Sequence, residues 1–215
     1  MNYVALDTAS GTLKVLVKYG DDYEYYSDVS FKSASEKMMP ELDRALEAAG
    51  ASLSDMDYFG CVTGPGSFTG IRIGMAAVKA FAYAFGKPVL PVNSLELLAA
   101  CRPFDTTIAV ADAGNGMRYV AVYDEKGGET MPPRALKAGE LKEFLSMVDE
   151  PHAVVADAAA GEGLEDAVVP DDLKEAFARL METHTDRLTD GNLVEPLYVR
   201  KPQAVLDLEK RNGND

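Results

Sequence analysis

The sequence predicts an α/β protein of two similar lobes, each a mixed sheet with helices. Three observations predict it. Short apolar strands alternate with helical patterns along the chain. A unit of strand, Asp, glycine-bearing loop and alternating strand occurs twice, half a chain apart. Arg102-Pro103-Phe104-Asp105 breaks the pattern in the middle, after which it begins again. The 215 residues, 47% of them hydrophobic, can bury one sizeable core or two smaller ones. The expected division is residues 1–103, residues 104–208 and a charged, frayed tail, 209–215.

Tyr3 to Asp7 reads as a buried strand, and Thr12 to Lys18 as a second, with Leu13, Val15 and Val17 in phase. Ser10-Gly11 is the turn between them. Tyr23 to Val29 completes a three-stranded meander. Ser33 and Glu36 have capping-box spacing, and Met38, Met39, Leu42, Ala45, Leu46 and Ala49 follow at helical period. Pro40 predicts a kink there or a later start, and Gly50 ends the helix. Asp57 to Thr63 is a fourth strand. An alanine-rich helix runs from Phe68 to Phe85 and stops at Gly86-Lys87-Pro88. Val89 to Val92 is a short strand, with a helix capped by Asn93 or Ser94 after it. The second half reads as strands at Thr107–Asp112 and Arg118–Asp124, a helix from Gly139 to Val148, and a strand from Ala153 to Asp157. A helix from Asp172 to Glu182 and an extended piece at Pro196–Lys201 complete it.

The repeat can be stated by position. Asp7, Gly11, Val15 and Val17 recur as Asp112, Gly116, Val120 and Val122, each 105 residues later (112 − 7, 116 − 11, 120 − 15 and 122 − 17). Such a duplication suggests the actin-like ATPase architecture (ASKHA, ribonuclease H-like) shared by actin, hexokinase and Hsp70. In that architecture a nucleotide lies between the halves. Asp7, Thr8, Gly11, Asp112 and Gly116 are then the residues of the turns expected to face its phosphates, through outward backbone N–H groups and a hydrated magnesium ion. The competing reading is two tight hairpins with Asp at a strand end.

The formal net charge is −14, so phosphate backbones repel this chain and any nucleic-acid contact calls for a more basic partner. Cys61 and Cys101 sit in apolar stretches outside any C-x-x-C pair and read as buried, reduced thiols. The opening Met-Asn-Tyr-Val-Ala-Leu-Asp lacks the pattern of a signal peptide, and no apolar run reaches membrane-spanning length. A cytoplasmic location with no membrane contact is expected. His152 and His184 are the two histidines, too far apart for a helical metal pair, and no H-E-x-x-H occurs. No metal site and no catalytic residue are expected. Ser67 and Cys61 have no histidine nearby in the sequence to act as base.

Gly64-Pro65-Gly66-Ser67-Phe68-Thr69-Gly70 joins a strand to a helix and could hold an anion at the helix N-terminus. It has neither dinucleotide spacing nor the Lys of a P-loop. The plainer reading is a tight turn with Ser67 as cap.

The full run Gly64-Pro65-Gly66-Ser67-Phe68-Thr69-Gly70-Ile71-Arg72-Ile73-Gly74 resembles the TsaB (YeaZ) family, which is related to the TsaD/Kae/Gcp glycoprotease-like proteins. The resemblance covers nearly the whole chain. Tyr3–Thr8 matches the family's opening strand, Ser35-Glu36 through Pro40 its first helix, and Asp112-Ala113 with Tyr119–Tyr123 its second Asp turn. Pro196-Leu197-Tyr198-Val199-Arg200-Lys201-Pro202-Gln203-Ala204 matches its closing motif. Ala34 stands where the family usually has His, and Gly114 where it usually has Arg.

The resemblance implies a non-catalytic assembly or activating subunit of the complex that attaches threonylcarbamoyl to an adenosine of tRNAs reading codons that begin with adenine. A TsaD homologue would be the catalytic partner, bound through the first two helices, and a TsaE-type P-loop ATPase the third component. The chain would need no cofactor of its own, ATP and a metal ion belonging to the partners. It would self-associate as a homodimer when alone and meet tRNA only through the complex. The implied partner interface is Ser35, Met38, Met39, Leu42, Leu46, Thr69, Ile71, Arg72, Met75 and Val78, with parts of both helix faces exposed in a lone protomer. The alternative is a self-contained small ATPase or kinase working in the cleft between Asp7 and Asp112.

Overall fold

The structure, a computed structural model, describes residues 1–28, 34–102, 105–148 and 152–201. The first lobe contains β1 (Tyr3–Asp7), β2 (Leu13–Tyr19), β3 (Asp22–Asp28), α1 (Ala34–Ala49), β4 (Tyr58–Gly64), α2 (Phe68–Phe85), β5 (Val89–Asn93) and α3 (Ser94–Ala99). Its sheet has the order β3-β2-β1-β4-β5. The first three strands form an antiparallel meander, and β4 and β5 join beside β1 in parallel. Parallel neighbours need crossovers, which α1 and α2 provide.

The second lobe contains β6 (Thr107–Asp112), β7 (Met117–Tyr123), β8 (Glu129–Lys137), α4 (Ala138–Ser146), β9 (Ala153–Ala156) and α5 (Ala158–Gly161). Its strand order, β8-β7-β6-β9, repeats the first sheet up to the fourth strand. A parallel bridge between Val155 and Val168 stands where a fifth strand would lie. The duplication is thus present in the topology, but the constant offset slips inside the hairpin. Asp7 pairs Lys14, whereas Asp112 pairs Arg118, so the second loop is one residue shorter. Val120 therefore opposes Val110 as Leu16 opposes Ala5, and the matching of Val15 and Val17 to Val120 and Val122 is coincidental.

β8 is the strand that sequence periodicity missed. Pro132 and Pro133 interrupt its alternation, and the register with β7 shifts around them. Proline is tolerated there because β8 is an edge strand with one unpaired side. α1 likewise continues through Pro40. The expected Ser33 cap lies outside the described residues, as do residues 103–104 at the expected lobe boundary and the tail.

α6 (Lys174–Thr183) returns to the first lobe rather than completing the second. Met181 lies over Gly60, where an added Cβ would meet its sulfur at 2.5 Å, and the Tyr58 hydroxyl donates to the Met181 carbonyl at 2.7 Å. After α6, Val89 bridges Thr189 and the Leu197 N–H donates to the Thr63 carbonyl at 2.8 Å. The start of the closing motif is thus tied to the first lobe through Leu197. One core runs from the first sheet through α6 to Ala109, Ala111 and Tyr119, the face of the second sheet turned toward the first lobe. A smaller core of Ile108, Val110, Val120, Leu141, Ala156 and Ala160 lies on that sheet's other face.

Burial corrects the expected interface. Met38, Leu42, Leu46, Ile71, Met75 and Val78 are all core residues of the lone chain, none more than 7% exposed. Each contributes about 1.5–3 kcal/mol through burial. Only Ser35, Met39, Thr69 and Arg72 of the expected set are exposed. The repeat of Met and Leu marked the inward stripe of each helix, not an outward one.

The glycine face of α2 makes close packing possible. A Cβ on Gly70 would lie 1.8 Å from the Thr8 carbonyl oxygen, and one on Gly74 2.4 Å from the Thr8 hydroxyl. Gly86, in contrast, closes α2 in the left-handed region at φ 63° with open space around it. Gly70→Ala is expected to cost at least ~3 kcal/mol in urea denaturation, and Gly86→Ala about 1 kcal/mol. The reverse order would show that α2 does not rest on the Thr8 turn.

Candidate functional site

Two features compete for the functional role, a cleft between the lobes and the outward face of α2. The cleft has a volume of ≈ 580 Å³ and lies between the Asp7 and Asp112 turns, with Ser67, Asp157 and Arg200 among its lining.

Asp7 is fully buried at the end of β1. Its carboxylate accepts the Ala9 N–H at 2.8 Å, the Ser10 N–H at 3.3 Å, the Ser10 hydroxyl at 2.5 Å and the Lys14 ammonium at 2.7 Å. Lys14 also donates to the Ser10 hydroxyl, at 2.6 Å. Strand pairing dictates this: Lys14 stands directly opposite Asp7 across the hairpin. A buried carboxylate must be paired and hydrogen-bonded, and this one is satisfied from its own hairpin.

The second turn is neutralised in the same way. Arg118, opposite Asp112 in register, donates to its carboxylate at 2.7 Å. Gly114 carries φ 69° in the loop, and Arg200 from the closing motif donates to the Ala113 carbonyl at 2.8 Å. Two arginines, Arg118 and Arg200, thus attend this turn. Asp157 accepts the Asp112 N–H at 2.9 Å and caps α5 through the Ala160 N–H at 2.7 Å. Burial pushes the Asp157 carboxyl above the usual carboxylate range, against the pull of those two N–H donors.

Thr8 does not face the cleft with its hydroxyl. That group donates to the Gly70 carbonyl at 2.6 Å and accepts the Gly74 N–H at 3.1 Å. Gly11 lines the cleft; Gly116, in the matching turn, is not part of the lining. At the glycine-rich junction the Ser67 N–H donates to the Ala9 carbonyl at 2.9 Å, and Ser67 accepts the Gly70 N–H at 3.1 Å. The turn after β1 is packed against the start of α2, so the junction presents a capped helix rather than an open cradle.

The outward face of α2 carries Thr69, Arg72, Ala76, Ala80 and Tyr83, with Ile73, Ala77 and Lys79 half-buried beside them. These positions follow the three- and four-residue helical spacing. Tyr83 is 87% exposed. On α1 the outward residues include Ser35, Met39, Asp43, Arg44 and Glu47. Arg72 donates through Nε to the Tyr198 hydroxyl at 3.0 Å, and Tyr198 stacks on Phe68 with centroids 4.6 Å apart.

Among the described residues no cluster of three His, Cys, Asp or Glu could hold a metal, and no helix is long and apolar enough to cross a membrane. His184 sits beside Glu96 at 3.6 Å, next to the Arg187–Glu96 pair at 2.7 Å. Burial pushes the Cys61 thiol up to about 12 and the Cys101 thiol to about 11, which leaves both unreactive near neutrality.

Comparison with known proteins decides the lineage. The family model described as TsaD, tRNA N6-adenosine threonylcarbamoyltransferase, matches residues 28–147, more than half of the chain. The Bacillus subtilis protein named tRNA threonylcarbamoyladenosine biosynthesis protein TsaB is 32% identical over 158 residues, 70% of this chain and 69% of that one. The chain belongs to the TsaB (YeaZ) family. The Escherichia coli TsaB is 30% identical over 133 residues, 59% of this chain and 58% of its own length. YeaZ from Pseudomonas aeruginosa superposes with a TM-score of 0.74 at 20% identity, over 92% of this chain and 99% of that one. The chain therefore has the fold of YeaZ, two mixed sheets with helices.

Lys14, Arg118, Asp157, Tyr198 and Arg200 are the site residues that sequence reasoning did not single out. A signal existed for two: Lys14 and Arg118 follow the duplicated aspartates by seven and six residues, on the facing strand of each hairpin. Lys14→Met is expected to cost about 3–5 kcal/mol in chemical denaturation, because Asp7 would remain a buried, unpaired charge. Asp7→Asn with Lys14→Met should cost clearly less than the sum of the single changes. Arg118→Met, at a pair whose aspartate side chain is 37% exposed, should cost about 1 kcal/mol, less than Lys14→Met. Equal costs for the Lys14 and Arg118 changes would contradict this difference between the turns.

Proposed function

We propose that the chain is a non-catalytic assembly subunit in tRNA threonylcarbamoyladenosine biosynthesis. It holds a TsaD-type transferase through the outward faces of α1 and α2. A TsaE-type ATPase is the further component of the complex, and ATP and a metal ion belong to the partner subunits. Family membership supports the pathway, since the relatives are named for that biosynthesis.

The observation that carries the partner role is the contrast between the two candidate features. Both acidic turns of the cleft pair with cations of this chain, Asp7 with Lys14 and Asp112 with Arg118. The outward face of α2 is small and apolar around Arg72, with the half-buried Lys79 one further cation beside it: Ala76, Ala77 and Ala80 let another helix approach, and Tyr83 supplies area. α2 contains no Asp or Glu, in a chain of net charge −14. A lone protomer would pair this face with a second copy, and the transferase would displace that copy. tRNA would be met only through the assembled complex, because so acidic a chain does not attract phosphates.

The rival reading, a self-contained ATPase, draws on the cleft volume and on the two Asp turns that line it. One comparison separates the two. The full chain is titrated with Mg-ATP and, separately, with the TsaD-type subunit of the same organism, in calorimetry and sedimentation. A stable complex with the subunit, together with no saturable nucleotide binding to the lone chain, is the expected result. Tight nucleotide binding with phosphate release and no complex would overturn the proposal.

A further inference from the structure

Arg72 is an unusual residue on α2. It stands in the second turn, where the positive end of the helix dipole gives a cation no support. α2 offers it no acidic residue at the neighbouring i±3 or i±4 positions, since the helix contains none. Among the described residues no carboxylate lies within ion-pair distance of it. The side chain is nevertheless held. Its Nε donates to the Tyr198 hydroxyl at 3.0 Å, and its guanidinium carbon lies 5.8 Å from the centre of that ring.

Tyr198 is itself anchored. Its ring stacks on Phe68 at 4.6 Å, the neighbouring Leu197 N–H donates to the Thr63 carbonyl at 2.8 Å, and Arg200 donates to the Ala113 carbonyl at 2.8 Å. The closing segment therefore fixes one edge of the Arg72 fork against the start of α2. The terminal amino groups remain as donors on an exposed helix face.

We propose that Arg72, oriented by Tyr198, is the specificity contact of the α2 face, and that it takes a carboxylate on a helix of the partner protein. This rests on the reading that α2 meets the partner. The chemistry follows from the fork: two parallel N–H donors match the two oxygens of a carboxylate, and pre-orientation by Tyr198 lowers the ordering cost. The surrounding Ile73, Ala76 and Ala77 would exclude water once a partner helix lies over them. A paired Arg72 then strengthens binding, while a partner without the acid would bury an unpaired guanidinium and be rejected. Tyr198 acts as a positioning residue and Arg72 as the contact.

The test uses the full chain and the TsaD-type subunit of the same organism, with affinity measured across ionic strength and thermal melting as a control. Arg72→Ala is expected to weaken binding at least about tenfold and to flatten its salt dependence, without lowering the melting temperature of the lone chain. Arg72→Lys should keep the salt dependence but recover only part of the affinity. Tyr198→Phe, which keeps the stacking ring and removes the hydroxyl, should fall between wild type and Arg72→Ala. Ala76→Glu is the control for the face itself. If Ala76→Glu abolishes binding and Arg72→Ala leaves affinity and salt dependence unchanged, the carboxylate contact is wrong while the α2 interface stands. If Ala76→Glu leaves binding intact, the α2 interface and this inference both fall.

Discussion

The hydroxyl of Thr8 joins the first strand to the second helix. It donates to the Gly70 carbonyl and accepts the Gly74 N–H, so β1 and α2 are tied at two successive turns of the helix. That contact requires the backbone of α2 to come within reach of the Thr8 turn, and only residues without a Cβ permit it. The remaining features follow from the approach. Ser67 reaches both the Ala9 carbonyl and its own capping position, Ile71, Met75 and Val78 turn into the core, and Arg72, Ala76 and Ala80 turn outward. A small residue at position 70 is therefore a condition of the helix orientation, and the helix orientation sets which residues a partner could touch.

The same turn bears on the cleft. Asp7 lies next to Thr8, and its carboxylate is spent on two backbone N–H groups, a serine hydroxyl and a lysine. The second turn repeats the device with Arg118. A duplicated fold whose inward acids are both paired internally retains the shape of a ligand cleft without free charge at its two turns. The closing segment adds a link between lobes: it touches β4 through Leu197, α2 through Tyr198 and the second Asp turn through Arg200. Within the proposed function, the second lobe and the closing segment brace the helix that would hold the partner.

Much of the fold was legible in the sequence because strands and helices here keep clean periods. Tyr3 to Asp7, the capped helix from Phe68 and the repeated Asp hairpin all carry local signals that tertiary packing did not override. β8 was not legible, because Pro132 and Pro133 hide an edge strand's alternation. The return of α6 to the first lobe was not legible either, since the pairing of Gly60 with Met181 joins residues far apart in sequence. The site was read less well. Helical period identifies a stripe but does not say whether it faces inward, and the stripe containing Met38, Leu42 and Met75 proved to be core. Arg72 was legible through its motif, whereas Tyr198 beneath it depended on a contact across the fold.

The most direct measurement is threonylcarbamoyl transfer to tRNA in the reconstituted system, with two altered versions of this chain. Ala158→Phe places bulk in the cleft, at an exposed position of its lining, and Ala76→Glu places a charge on the outward face of α2. Transfer that requires the chain, survives Ala158→Phe and is lost with Ala76→Glu is the predicted result. Transfer lost through the cleft and indifferent to the α2 face would contradict the assignment of function to that surface.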